Sequence, residues 1–162
     1  MARVLIVGCG CRGRALAAGL REAGHEVRGT SRTTQGRAAI EAAGLDAVEA
    51  DPDRLGTLLA CLPGVSTVCW LMGSAQGEGV EALHGPRWQS MLDRLVDTPV
   101  RGAVYEAAGT VQPGILEEGA AIARAAAVTY RMPIEVVEVD PADHRAWVAA
   151  SREAVEAVLA AS

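Results

Sequence analysis

Residues 4–13 read VLIVGCGCRG and combine a continuous apolar run with a turn rich in glycine. The run from Val4 to Val7 is typical of a central parallel strand, which is buried on both faces. The turn from Gly8 to Gly13 matches the pattern G-x-G-x-x-G. Apolar residues at helical spacing follow over 14–23, and Gly24 is well suited to end that helix. This order of strand, glycine turn and helix is typical of the first unit of a dinucleotide-binding α/β fold.

The rest of the sequence continues this alternation of strand and helix. Apolar runs predict five further strands, at 25–30, 47–50, 67–72, 103–106 and 134–139, with the last at a sheet edge. Helical patterns separate these strands, at 36–43, at 53–61, from about 86, around 115–126 and from 141 to the C-terminus. The sequence therefore predicts an α/β fold with a doubly wound, parallel six-stranded sheet of the Rossmann type. This single domain would occupy residues 1–162 and leave no separate substrate domain.

Details of three helices are also predicted. The helix that begins near Pro86 would place Trp88 and Met91 on one face. Asp140 is expected to cap the last helix, with Pro141 at its first position. The inner face of the preceding helix is expected to consist of Ile115, Gly119, Ile122 and Ala126.

The composition excludes several classes of function. The chain has 162 residues and a net charge of −5, which argues against binding of nucleic acid or anionic lipid. No apolar run approaches the roughly 18 residues of a membrane span. The four cysteines are Cys9, Cys11, Cys61 and Cys69, too few for a disulfide framework, and we expect a cytoplasmic protein. Cys9 and Cys11 lack the C-x-x-C spacing and the further ligands typical of a metal pair, so no metal is expected.

All 15 basic residues are arginine, so the chain contains no lysine. This excludes Schiff-base chemistry on a lysine, the P-loop lysine of nucleotide hydrolases and the Tyr-x-x-x-Lys catalytic pair.

The residues of the turn from Gly8 to Gly13 fit specific roles in holding a dinucleotide. Gly8 allows the tight turn, Gly10 lets a pyrophosphate approach the backbone, and Gly13 lets the helix pack closely on the strand. The helix N-terminus offers free N–H groups and the positive end of its dipole to the phosphates. Three residues between these glycines are expected to line the same site: Cys9, Cys11 and Arg12.

The end of the second predicted strand favours NADP over NAD. An NAD site usually has an acidic residue there to bind the adenosine ribose, but no acid lies between Glu26 and Glu41. Arg32 stands in this region and can pair with a 2′-phosphate. The neighbouring hydroxyl groups could hydrogen-bond the same phosphate; they belong to Thr30, Ser31 and Thr33.

These segments resemble the atypical or extended short-chain dehydrogenase/reductase superfamily, in its epimerase-like and NmrA-like branches. The matching residues are 4–13, 29–32 and 50–51, with a looser match at 104–110. The resemblance implies an NAD(P)-binding fold over about the first 110 residues. It implies adenine contacts from Asp51, although Asp51 could equally cap the next helix. It also implies ribose or adenine contacts from Leu71, Met72 and Gly73.

The catalytic set of that superfamily is missing. Ala107 and Ala108 stand where its catalytic serine would lie, and neither tyrosine is followed by the required lysine. One hypothesis is therefore an NADP(H)-binding redox sensor whose state is read by a protein partner or a second copy. The alternative is an NADPH-dependent oxidoreductase that reduces a small carbonyl compound with other acid/base groups. A nucleotide-binding regulator of ion transport is disfavoured, because such domains usually carry an acid after the second strand.

The candidate acid/base residues lie near the ends of the fourth and fifth strands. Glu106 is the first choice as a proton donor if it is buried at the strand end, because burial would raise its pKa. The alternative is that Glu106 faces solvent there. His84 is expected to be a solvated turn residue more often than an acid, and Tyr105 is expected in the core. Two polar residues complete the set: Gln76 and Thr110.

Self-association is also expected, because the chain is small. Three tryptophans and a long C-terminal helix could form a homodimer interface, although the tryptophans could equally belong to the core. They are Trp70, Trp88 and Trp147.

Overall fold

The sheet has six parallel strands, in the order β3-β2-β1-β4-β5-β6. The computed structural model describes residues 2–161. The strands are β1 Arg3–Val7, β2 Glu26–Ser31, β3 Asp46–Glu49, β4 Thr67–Trp70, β5 Gly102–Glu106 and β6 Ile134–Val137. This order places β1 beside β4 and β6 at one edge, which confirms the predicted Rossmann-type sheet.

Helices cover both faces of the sheet. They are α1 Cys11–Glu22, α2 Thr34–Ala42, α3 Leu55–Leu59, α4 Val80–His84, α5 Pro86–Leu95, α6 Pro113–Tyr130 and α7 His144–Ala161. One core cluster joins the sheet to α3, α5 and α6, and the other joins it to α1, α2 and α7. Among residues 2–161, no helix combines the length and the apolar character that crossing a bilayer requires.

The three tryptophans belong to the core, and none of them is available for an interface. Trp70, Trp88 and Trp147 are each 0% exposed. Trp88 stacks on Tyr105 at a ring-centroid distance of 5.2 Å and contacts Trp70 at the same distance. In a chain without phenylalanine, these rings supply most of the aromatic volume of the core.

Two local expectations are wrong, and one short helix was not predicted. Asp143, not Asp140, caps α7, because its Oδ1 accepts a hydrogen bond from the Ala146 N–H at 3.2 Å. Asp140 instead accepts a hydrogen bond from the Ala142 N–H, in the turn before the helix. Pro141 lies in that turn and not at the first position of α7, because the helix begins at His144. The short helix α4 was not predicted, because its five residues are too few to show a helical period. The inner face of α6 is shifted by one position at two sites and consists of Leu116, Gly119, Ala120, Ala123 and Ala126.

Gly119 gives a test of core packing. A Cβ at this position would overlap the hydroxyl of the buried Tyr105. We expect Gly119→Ala to lower the free energy of unfolding by about 1–3 kcal/mol, as overpacking does. Urea denaturation measures this change. Gly114→Ala in the same helix is the matched control, because a Cβ there meets no atom within 4 Å. Equal stability of the two variants would contradict the packing assignment.

Candidate functional site

The glycine turn lies where β1 ends and α1 begins. Gly8 has φ +82°, and a Cβ there would lie 2.6 Å from the carbonyl oxygen of Leu71. Gly13 packs against β1, since its Cβ would lie 3.3 Å from Ile6 Cγ2. At Gly10 a Cβ would meet no atom within 4 Å, so the backbone faces open space. The close contacts at Gly8 and Gly13 agree with the roles predicted for these two glycines in the turn and in helix packing.

A cleft of about 380 Å³ runs along the carboxyl ends of β1, β2 and β4. It brings together most of the predicted cofactor-binding residues, namely Gly8, Cys9, Gly10, Arg12, Thr30, Ser31, Arg32, Leu71 and Met72. Other predicted residues lie near the cleft but outside its lining, namely Cys11, Gly13, Thr33, Asp51 and Gly73. The sequence indicated that Arg14 would add positive potential near the site, and Arg14 lines the cleft; several other residues of the wall were missed, including Asp53, Ser74 and Leu83.

Three arginines give the cleft positive charge. Arg12 and Arg14 extend from α1, and Arg32 follows β2. The three guanidinium groups make no ion pair and no hydrogen bond within residues 2–161, although Arg12 acts electrostatically on the Glu106 carboxyl. Arg37, in contrast, lies 3.9 Å from both Glu41 and Glu49 and is outside the cleft lining. The unpaired guanidinium groups are therefore suited to bind a phosphorylated anion.

The hydroxyl groups after β2 mainly hold the backbone. Thr33 caps α2, since its Oγ1 accepts a hydrogen bond from the Gly36 N–H at 3.0 Å. Ser31 Oγ accepts from the Thr33 N–H at 3.2 Å, and Thr30 is buried. These hydrogen bonds hold the turn that carries Arg32. The hydroxyl groups are therefore used within the turn, whereas the Arg32 guanidinium remains available to bind an anion.

Asp51 lies in the turn between β3 and α3. Its Oδ1 accepts a hydrogen bond from the Asp53 N–H at 2.9 Å. The helix α3 begins only at Leu55, and no side chain caps it. Asp51 therefore stabilises the preceding turn rather than capping α3. The neighbouring Ala50 and Asp53, but not Asp51, line the cleft.

Glu106 ends β5 as a buried carboxyl, 1% exposed. Its Oε1 accepts a hydrogen bond from the Gly73 N–H at 2.7 Å. Burial raises the pKa of Glu106, while the Gly73 N–H, Arg12 and Trp147 favour its charged form. The burial and the direction of the pKa shift are both as the sequence analysis expected.

His84 and Tyr105 lie in the core behind the cleft. Both are 0% exposed, so the expectation that His84 is a solvated turn residue is wrong. His84 Nε2–H donates to the carbonyl oxygen of Met72 at 2.9 Å, and Nδ1 accepts from the Tyr105 hydroxyl. Burial lowers the pKa of His84 and raises that of Tyr105, so the pair is neutral. Neither side chain lines the cleft.

The remaining two acid/base candidates lie on the loops that follow β4 and β5. Gln76 lines the cleft. The Thr110 N–H donates to Ser74 Oγ at 3.3 Å and joins the two loops. Within residues 2–161 there is no group of three or more His, Cys, Asp or Glu side chains placed to hold a metal ion.

Comparison with known families supports the assignment of the first part of the fold. Residues 3–56, from β1 into α3, match the family model of coenzyme F420-dependent NADP oxidoreductases. This segment is about a third of the chain and contains the glycine turn and Arg32. No curated protein sequence matches the chain.

Solved structures with the same fold include enzymes of the epimerase and short-chain dehydrogenase type. UDP-glucuronic acid 4-epimerase from Bacillus cereus, in complex with NAD, is 15% identical, with a TM-score of 0.66 over 83% of this chain and 55% of that one. A short-chain dehydrogenase/reductase superfamily protein from Agrobacterium tumefaciens, with bound NAD, is 20% identical (TM-score 0.67, 83% and 48%). Triphenylmethane reductase from Citrobacter sp., complexed with NADP(H), is 14% identical (TM-score 0.62, 83% and 48%).

These similarities confirm the predicted resemblance at the level of the fold. The chain has the Rossmann-type fold of epimerase-like short-chain dehydrogenase/reductases and spans about half the length of these three proteins.

The buried Glu106 predicts a measurable pH dependence of stability. Its folded-state pKa is raised above the ordinary 4.5, so the unfolded chain releases this proton at lower pH than the folded chain. The free energy of unfolding should therefore fall as pH rises from 4.5 toward the raised value, and then level off.

Glu106→Gln keeps an oxygen for the Gly73 N–H and removes the titration. Urea denaturation across this pH range measures the free energy of unfolding of both proteins. As pH rises, the wild type should lose stability relative to Glu106→Gln. A constant difference would contradict the raised pKa, and Glu117→Gln on the exposed side of α6 is the control.

Proposed function

We propose that the cleft binds a nicotinamide dinucleotide and prefers the phosphorylated form, NADP(H). The observation that carries this proposal is that the glycine turn and the unpaired Arg32 line the same cleft. The pyrophosphate would lie over Gly10 at the N-terminus of α1, where backbone N–H groups and the helix dipole favour anions. The 2′-phosphate would pair with Arg32, with Arg12 and Arg14 adding positive potential.

Two observations support NADP over NAD. The end of β2 carries Ser31 and Arg32 in place of the acidic residue that would bind an unphosphorylated ribose. The family model that matches residues 3–56 is named for NADP oxidoreductases. The structural neighbours include proteins with NAD and one with NADP(H), so the discrimination rests on Arg32.

We infer that the protein acts as a cofactor-binding or redox-sensing protein without the standard catalytic set of its structural relatives. The chain has no lysine, Tyr105 is buried, and Ala107 and Ala108 follow β5. A protein partner or a second copy would then respond to the bound cofactor. The four free thiols, three of them buried, suit the reducing cytoplasm that we expect for it.

The second candidate function is an NADPH-dependent oxidoreductase that acts on a small carbonyl compound. Glu106 favours it, because a carboxyl with a raised pKa can hold a proton at the end of β5. Oxidation of NADPH in the presence of aldehydes and ketones, at a rate that Glu106→Gln abolishes, would decide for this function. Oxidation that is absent, or that the variant leaves unchanged, would decide against it.

Substitution of Arg32 tests the cofactor preference. We expect Arg32→Ala to weaken NADPH binding by about 1.5–3 kcal/mol, the range for a hydrogen bond to a charged group, and to leave NADH binding nearly unchanged. Isothermal titration calorimetry with both cofactors measures this. Arg37→Ala is the matched control, because Arg37 is paired with Glu41 and Glu49 outside the cleft.

Two results would contradict the cofactor assignment. An equal loss for NADPH and NADH in Arg32→Ala would show that Arg32 does not bind the 2′-phosphate. Failure of the wild type to bind either cofactor would show that the glycine turn serves only the fold.

We also propose that the protein forms a homodimer. The buried tryptophans cannot form the interface, so exposed apolar residues near the C-terminal ends of α5 and α6 are the better candidates. Val96 is 44% exposed and Val128 is 82% exposed, and the hydrogen bond from Tyr130 to Asp93 joins the two helices. Light scattering across a concentration series should give a dimer that Val128→Glu weakens. A monomer at every concentration would refute the proposal.

A further inference from the structure

One wall of the cleft is formed by a single stretch of the chain, residues 72–84, which follows β4 and ends with α4. We call it the 72–84 segment. The shape of this wall depends on how the two ends of the segment are held. Six residues of the segment line the cleft, namely Met72, Ser74, Ala75, Gln76, Glu78 and Leu83.

The two ends of the 72–84 segment are held together in the core. His84 Nε2–H donates to the carbonyl oxygen of Met72 at 2.9 Å, which joins the last residue of the segment to the first. The same carbonyl oxygen accepts from the Ala75 N–H at 3.1 Å. The indole N–H of Trp70, on β4, donates to the carbonyl oxygen of Leu83 at 3.1 Å. These hydrogen bonds close the segment into a loop at the edge of the cleft.

The imidazole of His84 satisfies both of its partners only as a neutral ring. A carbonyl oxygen can only accept, so Nε2 carries the hydrogen and Nδ1 accepts from the Tyr105 hydroxyl. A second proton, on Nδ1, would face the hydroxyl hydrogen and break this hydrogen bond. The hydroxyl oxygen has little room to move, because α6 packs against it at Gly119, where a Cβ would overlap it.

A protonated His84 would also be a buried charge without a counter-ion. His84 is 0% exposed, and no carboxylate forms an ion pair with it within residues 2–161. Burial lowers the pKa of His84, although the Met72 carbonyl favours the charged form. The charged ring is therefore more stable in water than in the core. The titratable groups of the elements around the ring are Glu81 of α4, Arg87 of α5, Tyr105 and Glu106 of β5, and Glu118 of α6.

These surrounding groups do not compensate for a charge on His84. Arg87 has the same sign as an imidazolium and forms an ion pair of its own. Glu106 follows Tyr105 in β5, so its side chain lies on the opposite face of the sheet. Glu81 and Glu118 are exposed, so water and salt screen their attraction for the ring.

We propose that His84 is a positioning residue for the cleft: its neutral ring holds the 72–84 segment in place, and protonation of the ring releases the segment and weakens binding of the cofactor. This inference rests on the proposed binding of NADP(H). His84 does not line the cleft itself and acts through Met72 and Leu83, which do. A cofactor that binds only the held form loses affinity as the fraction of released protein grows.

The pH dependence of NADP⁺ binding tests the proposal. Above the ordinary histidine pKa of 6.5 the ring is neutral, and the affinity should change little with pH. Below the lowered pKa of His84 the affinity should fall, approaching roughly tenfold per pH unit for one proton taken up on release. Calorimetry measures the affinity, and circular dichroism checks that the helices persist. Loss of the helical signal at the same pH would mean global unfolding and would overturn the proposal.

Tyr105→Phe distinguishes His84 from the 2′-phosphate of the cofactor, which takes up a proton at roughly pH 6. The variant keeps the ring that stacks on Trp88 and removes the hydroxyl that donates to neutral Nδ1. The held form then loses a hydrogen bond, whereas the released form, with its ring in water, loses nothing. The midpoint of the affinity loss should therefore move to higher pH, by about half to one pH unit for one hydrogen bond.

Further variants exclude other causes of such a shift. Tyr130→Phe is the matched control, because its hydroxyl bonds a carboxylate on α5 outside the cleft, and it should leave the midpoint unchanged. In a Glu106→Gln background, which removes the titration of the buried carboxyl, the shift caused by Tyr105→Phe should persist. His84→Gln removes the titration of the ring, so only the phosphate dependence should remain. Equal midpoints in wild type and Tyr105→Phe would overturn the proposal.

Tryptophan fluorescence of the ligand-free protein separates this inference from the proposed function. Release of the segment frees the Trp70 indole from the Leu83 carbonyl, so the emission should shift to longer wavelength at acid pH, with a midpoint that Tyr105→Phe raises. If NADP⁺ binds but Tyr105→Phe moves neither midpoint, only the role of His84 is wrong. If NADP⁺ does not bind at neutral pH, the proposed function fails, and the role of His84 in cofactor binding fails with it.

Discussion

The site depends on the close contact between the ends of β1 and β4. The Leu71 N–H donates to the carbonyl oxygen of Val7 at 3.0 Å, and Gly8 approaches the Leu71 carbonyl so closely that a side chain there would clash. The chain leaves β1 toward β2 and leaves β4 toward β5, so a crevice opens between the two connections. The N-terminus of α1 faces this crevice, and the glycine turn lets a ligand approach it.

The two sides of this crevice differ in chemistry. The side formed by β1 and β2 is cationic, with Arg14 and Arg32 unpaired, and it suits phosphate groups. At the ends of β4 and β5 the cleft is lined by the apolar Leu71 and Met72, and the buried Glu106 ends β5. A dinucleotide has the same asymmetry, with a charged phosphorylated adenosine half and a flat ring at its other end. This match is what favours a cofactor-binding role.

Two features set this chain apart from the short-chain dehydrogenase/reductases that it resembles. It lacks their Tyr-x-x-x-Lys pair, and it carries the buried acid Glu106 at the end of β5. The chain spans about half the length of the three structural neighbours described above. No lysine can assist Tyr105, whose hydroxyl is bound to His84 within the core. Glu106 ends β5 as a buried acid, and burial raises the pKa of its carboxyl.

The sequence by itself determined the succession of strands and helices along the chain and the position of the glycine turn, because apolar runs and glycine spacing are local patterns. It also identified Arg32, since the missing acid after β2 is visible in the chain. Only the tertiary structure decided the roles of His84 and Trp147. Their burial depends on elements far apart in sequence: α4 folds back to Met72, and α7 packs beside β5. Such long-range contacts leave no periodic signal, so the sequence around His84 and Trp147 gave no indication that the structure would bury each of them completely.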